Sequence, residues 1–209
     1  AEPSIPHAGD PGCDALGYEV AIEYTGRRQP ILGYATIRIH ATQRLRRGSF
    51  DFRGPRVFSV SGPWGRSYRQ RRSKLVYLPK SPIEAGTHFF IDVSYYGRPP
   101  AIVDPDGTEE GWVRTDDGVI ALGEPQGTAA WIPCNNVPWD KAPFTIAVTV
   151  PRGLKAVANG RLGYAAHFEG KSRFFWREAS PMSPYLAVLN IGRGRLIREP
   201  RPVGRPGGR

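Results

Sequence analysis

Long apolar runs are missing from this 209-residue sequence. None approaches the ~18 residues that a membrane-crossing helix requires, so no membrane partner is expected. Cysteine is scarce: Cys13 and Cys134 are too few and too distant to announce a disulfide framework, and they leave the redox compartment open. Helical periodicity is missing as well, since no segment offers three turns of apolar residues at i, i+3, i+4. Short-range metal signatures are absent too: no two histidines lie four apart and no cysteines lie two apart, and His7, His40, His88 and His167 are isolated from one another along the chain. Neither a Gly-x-Ser-x-Gly elbow nor a phosphate-cradling glycine pattern occurs. The expectation is a chain with no catalytic residue and no metal of its own.

What is present is punctuation and alternation. Twenty-five Gly and 21 Pro, with nine Tyr, nine Phe and five Trp, favour many short strands joined by turns. In Tyr18-Glu-Val20-Ala-Ile22-Glu-Tyr24 the period of two puts Tyr18, Val20, Ile22 and Tyr24 on one buried face. Ala35, Ile37, Ile39 and Ala41 form the matching face of a second strand, antiparallel to the first across residues 26–30. Further strands are read at 48–52, 56–61, 74–78, 88–96, 111–115, 119–122, 144–150, 155–158, 172–177 and 185–191. Helix is confined to single turns within 126–133 and 181–185. The predicted fold is all-β, a saddle-like antiparallel multi-sheet sandwich, with Ile22, Ile37, Ile91, Val148 and Leu189 in its core. Residues 1–14 lack periodicity and read as an N-terminal extension. Residues 15–197 form the β domain, and the Pro/Gly/Arg-rich residues 198–209 read as a tail.

Lys and Arg number 29 against 19 Asp and Glu, a net charge of +10 that would attract polyanions. The excess is spread along the chain, however, and solvated surface charge accounts for it. Two segments stand out locally. The run from Arg66 to Lys74 interleaves basic residues with Tyr68, a pattern that a single-stranded nucleic-acid binder would use, but an exposed hairpin with solvated arginines explains it with less. Asp104-Pro-Asp106-Gly107 resembles the start of a calcium loop, but later ligand positions are missing and a solvated turn is the simpler expectation.

The most informative stretch is Gly123-Glu124-Pro125-Gln126-Gly127, followed by Trp131-Ile-Pro133-Cys134-Asn135-Asn136-Val-Pro138-Trp-Asp140-Lys141-Ala142-Pro-Phe144. It resembles the N-terminal domain of the aminopeptidase N family of zinc metallopeptidases, especially the secreted bacterial branch. In that family a substrate-binding Glu or Gln stands nine residues before a Pro-Cys pair, as Glu124 stands before Pro133. Asp104 to Trp112, Val148 to Pro151, Ala156 to Gly160 and Met182 to Ala187 follow the family pattern in order. Asn136, where an acidic residue is usual, and Pro184, inside the Met-Ser-x-Tyr-Leu segment, depart from it.

The resemblance implies a non-catalytic β domain that packs on a thermolysin-like catalytic domain. In that picture the zinc cofactor belongs to the catalytic domain, and the Gly-x-Met-Glu-Asn and His-Glu-x-x-His motifs do not occur in this sequence. It also implies that Glu124 receives the free N-terminus of a peptide, with Gln126 shaping the same pocket, and that Cys134 is a buried apolar group. A secreted or extracytoplasmic bacterial location is expected, with the cytoplasm left open, because the chain starts at Ala1 and reads either as a matured secreted product or as a trimmed chain. Two readings stand at this level: a substrate-recognition domain of an exopeptidase, or a free-standing basic β module that binds nucleic acid or another polyanion. Glu124 in its cassette favours the first and the Arg66 to Lys74 run favours the second; nucleic acid is the less expected partner.

Overall fold

A computed structural model of the chain describes residues 7–62, 67–103, 106–195 and 197. Among the described residues there are fifteen strands in three sheets and two single 3-10 turns. The large sheet contains, in spatial order, β13 (Arg161–Phe168), β14 (Lys171–Met182), β11 (Ala142–Pro151), β1 (Cys13–Glu23), β2 (Ile31–Ala41), β7 (His88–Gly97) and β4 (Arg56–Ser61). A five-stranded sheet orders β12 (Lys155–Ala158), β15 (Leu189–Gly192), β10 (Val119–Leu122), β9 (Glu109–Arg114) and β8 (Ala101–Val103). A third sheet holds β3 (Gly48–Asp51), β6 (Lys74–Leu78) and β5 (Ser67–Arg71).

Alternation does what its period requires. Along β1 and β2 the inward positions Tyr18, Val20 and Ile22 and Ala35, Ile37 and Ile39 are buried, while Leu16, Leu32 and Tyr34 are exposed, and one continuous cluster draws side chains from all three sheets. Tyr18 stacks on Phe144 with ring centroids 4.5 Å apart. Tyr95 from the large sheet donates its hydroxyl to the carbonyl oxygen of Trp131 at 2.7 Å, so this buried phenol keeps a hydrogen bond while its ring fills the core. Ile22, Ile37, Ile91, Val148 and Leu189 are all buried, as the alternation predicts.

Several elements differ from the sequence expectation. The pairing is antiparallel throughout except between β1 and β11, which run parallel with Tyr18 opposite Phe144. β1 begins at Cys13, inside the segment read as an extension, because Ala15 and Asp14 pair with Ile39 and His40 of β2. β13 and β8 were not expected. β13 is an edge strand with no buried residue; Leu162, Tyr164, Ala166 and Phe168 alternate with Arg161, Gly163, Ala165 and His167, but a bulge between Leu162 and Tyr164 breaks the pairing register. The strand expected at 185–191 is shorter: Pro184–Leu186 forms a 3-10 turn, with Pro at its start, and only Leu189–Gly192 is strand. The other expected turn is present at Gly127–Ala130. The C-terminal tail at 198–209 lies outside the described residues.

Candidate functional site

Glu124 follows β10, whose last residue, Leu122, pairs with Gly111 of β9. The backbone on both sides of it is fixed by close packing. A side chain on Gly123 would meet the carbonyl oxygen of Tyr185 at 2.2 Å, and one on Gly127 would meet that of Leu122 at 2.0 Å. Only glycine lets these segments approach so closely. The Thr128 hydroxyl then donates to the carbonyl oxygen of Pro184 at 2.7 Å, joining the two 3-10 turns.

The N–H groups that open the first turn are received by a carboxylate. Glu110 is buried in β9, and its Oε2 accepts the backbone N–H of Gln126 at 2.9 Å and of Gly127 at 2.8 Å. Such charge-assisted bonds satisfy donors that a turn of this kind leaves over. On the other side Asn136 donates from Nδ2 to the carbonyl oxygen of Pro125 at 3.1 Å, and its backbone N–H is held by Asp51 Oδ2 at 3.0 Å. The Glu124–Pro125 peptide bond is cis. Glu124 is thereby presented, exposed, on the rim of an open depression lined also by Glu109, Leu122, Tyr185 and Val188.

Gln126 is not brought into that depression. Its half-buried side chain lines a separate one, with Arg53, Ser73 and Asn136. The Pro-Cys pair lies behind both, where Cys134 and Asp51 exchange backbone hydrogen bonds at 2.8 and 3.1 Å. Cys134 is fully buried, and burial pushes its thiol well above the ordinary cysteine range, with the charge of Asp51 adding to the effect. A thiol so placed is no nucleophile.

Comparison with known proteins adds a likeness. No family model matches the sequence. A leucyl aminopeptidase from Saccharolobus solfataricus is 34% identical over 85 residues, which is 40% of this chain and 11% of that protein. The solved M1 zinc metallopeptidase from Deinococcus radiodurans superposes with a TM-score of 0.83 at 27% identity, over 90% of this chain and 44% of that one. A mutant of that enzyme bound to a Tyr-Ser-Ala substrate gives 0.83 at 28% identity, again over 90% and 44%. A two-domain M1 zinc metallopeptidase mutant bound to L-arginine gives 0.84 at 28% over the same shares. The chain is similar, in fold and in sequence, to part of these M1 zinc metallopeptidases. It spans less than half the length of the solved relatives it matches.

In this β domain the other segments singled out by sequence have structural work. Lys74 is committed to an ion pair with Asp51, Nζ to Oδ1 at 2.6 Å. Tyr68 is half-buried against the core and donates its hydroxyl to the carbonyl oxygen of Val57 at 3.2 Å, while Arg69 and Arg71 face solvent. Arg66 lies outside the described residues. In the acidic loop Asp106 accepts the Thr108 hydroxyl at 2.7 Å and its N–H at 3.0 Å, which holds the carboxyl below its usual range and closes a turn at Gly107. Asp104 lies outside the described residues.

A buried network that sequence reading missed stabilises the cassette from below. Asp140 accepts the backbone N–H of Ala15 at 3.0 Å and bonds the Asn135 side-chain amide. Asn135 also accepts the N–H of Asp10 at 2.6 Å, and its own N–H donates to the Tyr18 hydroxyl at 3.0 Å. Desolvation pushes Asp140 up to about 6, against the lowering effect of its bonds to Asn135 and Ala15. Glu110 was missed for a similar reason: a glutamate in an alternating segment reads as solvated until the 3-10 turn that caps it is in place.

Proposed function

We infer that this chain is the non-catalytic domain of a zinc aminopeptidase and supplies one wall of the substrate cleft, where Glu124 receives the free α-ammonium of a peptide. The observation that carries the reading is the exposed Glu124 carboxylate on a rim whose backbone is clamped from two sides, by Glu110 and by Asn136. A carboxylate held in this way offers a charge-assisted hydrogen bond, and a fixed backbone keeps it in position for a terminal ammonium. The first reading is also favoured over a nucleic-acid module by the packing of Tyr68 against the core.

The zinc chemistry belongs to a thermolysin-like partner domain in this reading. The donor set for a catalytic zinc does not fit this chain: the sequence has no His-Glu-x-x-His, and among the described residues no group of three His, Cys, Asp or Glu could hold a metal ion. The contribution of these residues is binding and orientation. Exposed Leu122 and Leu186 flank the depression and offer apolar surface on which the partner domain would close.

The test uses the complete peptidase. Glu124→Ala should lower kcat/KM for peptides with a free N-terminus by roughly ten- to hundredfold, the loss of one charge-assisted bond of about 1.5 to 3 kcal/mol. N-acetylated peptides should lose little more. Equal losses for free and acetylated peptides would show that Glu124 has no part in recognising the ammonium.

A further inference from the structure

The open face of the large sheet carries a group of side chains that the cleft does not use. His40 on β2 and His88 on β7 are directly opposed across the strand pair, although 48 positions separate them in the sequence. Their rings stack with centroids 4.8 Å apart and planes 21° apart. One strand further along the same row, Asp14 of β1 is opposed to His40, and its Oδ2 lies 3.8 Å from His40 Nδ1. Three neighbouring strands therefore present carboxylate, imidazole and imidazole in a line. His88 is exposed, and His40 and Asp14 are half-buried.

We propose that His40 and His88 form a two-imidazole site for a divalent transition-metal ion such as zinc, with Asp14 as a positioning residue for His40. Directly opposed strand positions hold their Cβ atoms about 4.5 to 5.5 Å apart, so two imidazoles can reach one ion by rotating their side chains, each nitrogen approaching to about 2.1 Å. Both rings lie on the solvent side of the sheet, and such rotation leaves the core untouched. The carboxylate beside His40 Nδ1 favours a proton on that nitrogen, which leaves the lone pair on Nε2 for the metal. Water completes the coordination, and the site holds its ion without the three protein ligands of a catalytic zinc centre. An ion there would tie β2 to β7, and because it binds the folded chain it would raise the thermal midpoint.

Calorimetric titration of the chain with Zn2+ alone tests this, with the imidazole signals followed by NMR. One equivalent should bind, His40 and His88 signals should shift together, and Cu2+ should bind more tightly than Zn2+ while Mg2+ produces no response. His40→Gln and His88→Gln should each weaken zinc binding by about tenfold or more, with unchanged circular dichroism. Asp14→Asn should weaken it less and should change the His40 nitrogen shifts that report the tautomer. His167→Gln, whose ring is engaged with Ser172 at 2.9 Å, should bind as the parent does. Zinc binding that survives both substitutions in the pair, an equal response to Mg2+, or no binding at millimolar zinc overturns the proposal.

Discussion

Asn136 donates its side-chain amide to the carbonyl oxygen of Pro125 across 3.1 Å and so holds the residue after Glu124 in place. Asn136→Ala should therefore destabilise the chain by about 1 to 2 kcal/mol, the cost of leaving a carbonyl without its donor. Asn136→Asp should cost more at neutral pH, because a carboxylate would face that carbonyl oxygen from a buried position. Urea unfolding of the two variants gives the order; a milder effect of Asp than of Ala would show that the Pro125 contact contributes nothing.

The close approach at Gly123 sets a second expectation. A methyl group there would sit 2.2 Å from a backbone oxygen of Tyr185, which no rotamer change relieves. Gly123→Ala should cost about 2 to 3 kcal/mol. In the complete peptidase it should also lower the turnover of free peptides, since Glu124 is the next residue. Wild-type stability in that variant would mean that the 183–187 segment gives way freely.

Asp140 provides a pH signature. Its carboxyl is raised from 3.8 to about 6 in the fold, so the protonated form is the one that folding favours. The associated stability is fully present below the unfolded value near 3.8 and is lost as pH rises through about 6, a change on the order of 3 kcal/mol. Asp140→Asn should remove that component. The difference in unfolding free energy between parent and variant, measured from pH 4 to 7, should slope in this sense, and a flat difference would show that Asp140 is not raised.

Neither thiol should be reactive in the native chain. Cys13 is buried and pushed up to about 12, with desolvation the leading cause, and Cys134 is buried deeper still. Alkylation at pH 8 should label neither cysteine until denaturant is added, and then both. Rapid labelling of Cys134 under native conditions would contradict its place in the core.

What the sequence made legible follows from how local each signal is. Ile22 and Val148 sit in strands whose alternation is complete within a few residues, and both lie in the core as that alternation requires. β13 has apolar residues at every second position from Leu162 to Phe168, yet none of them is buried and a bulge at Leu162/Tyr164 breaks its register, so alternation there does not mark a core face. The burial of Asp140 was hidden for another reason: its partner Ala15 lies 125 residues away, and no window around either residue contains the other. Glu124 drew attention through its nine-residue spacing to Pro133 and the resemblance that spacing carries. The clamp that orients it, Glu110 with Asn136, emerges only when β9, β10 and the 3-10 turn are assembled.

The parallel pairing of β1 with β11 also sets a timetable. β1 lies between β2 and β11, yet its second neighbour is made only after more than a hundred further residues. At ribosomal speeds of ~5 to 20 residues per second, that is roughly 6 to 25 seconds during which one flank of β1 has no native partner. An apolar, unpaired strand is a template for the wrong chain. A holdase that covers residues near Tyr18 during synthesis would act at the step where the nascent chain is most exposed to misassembly.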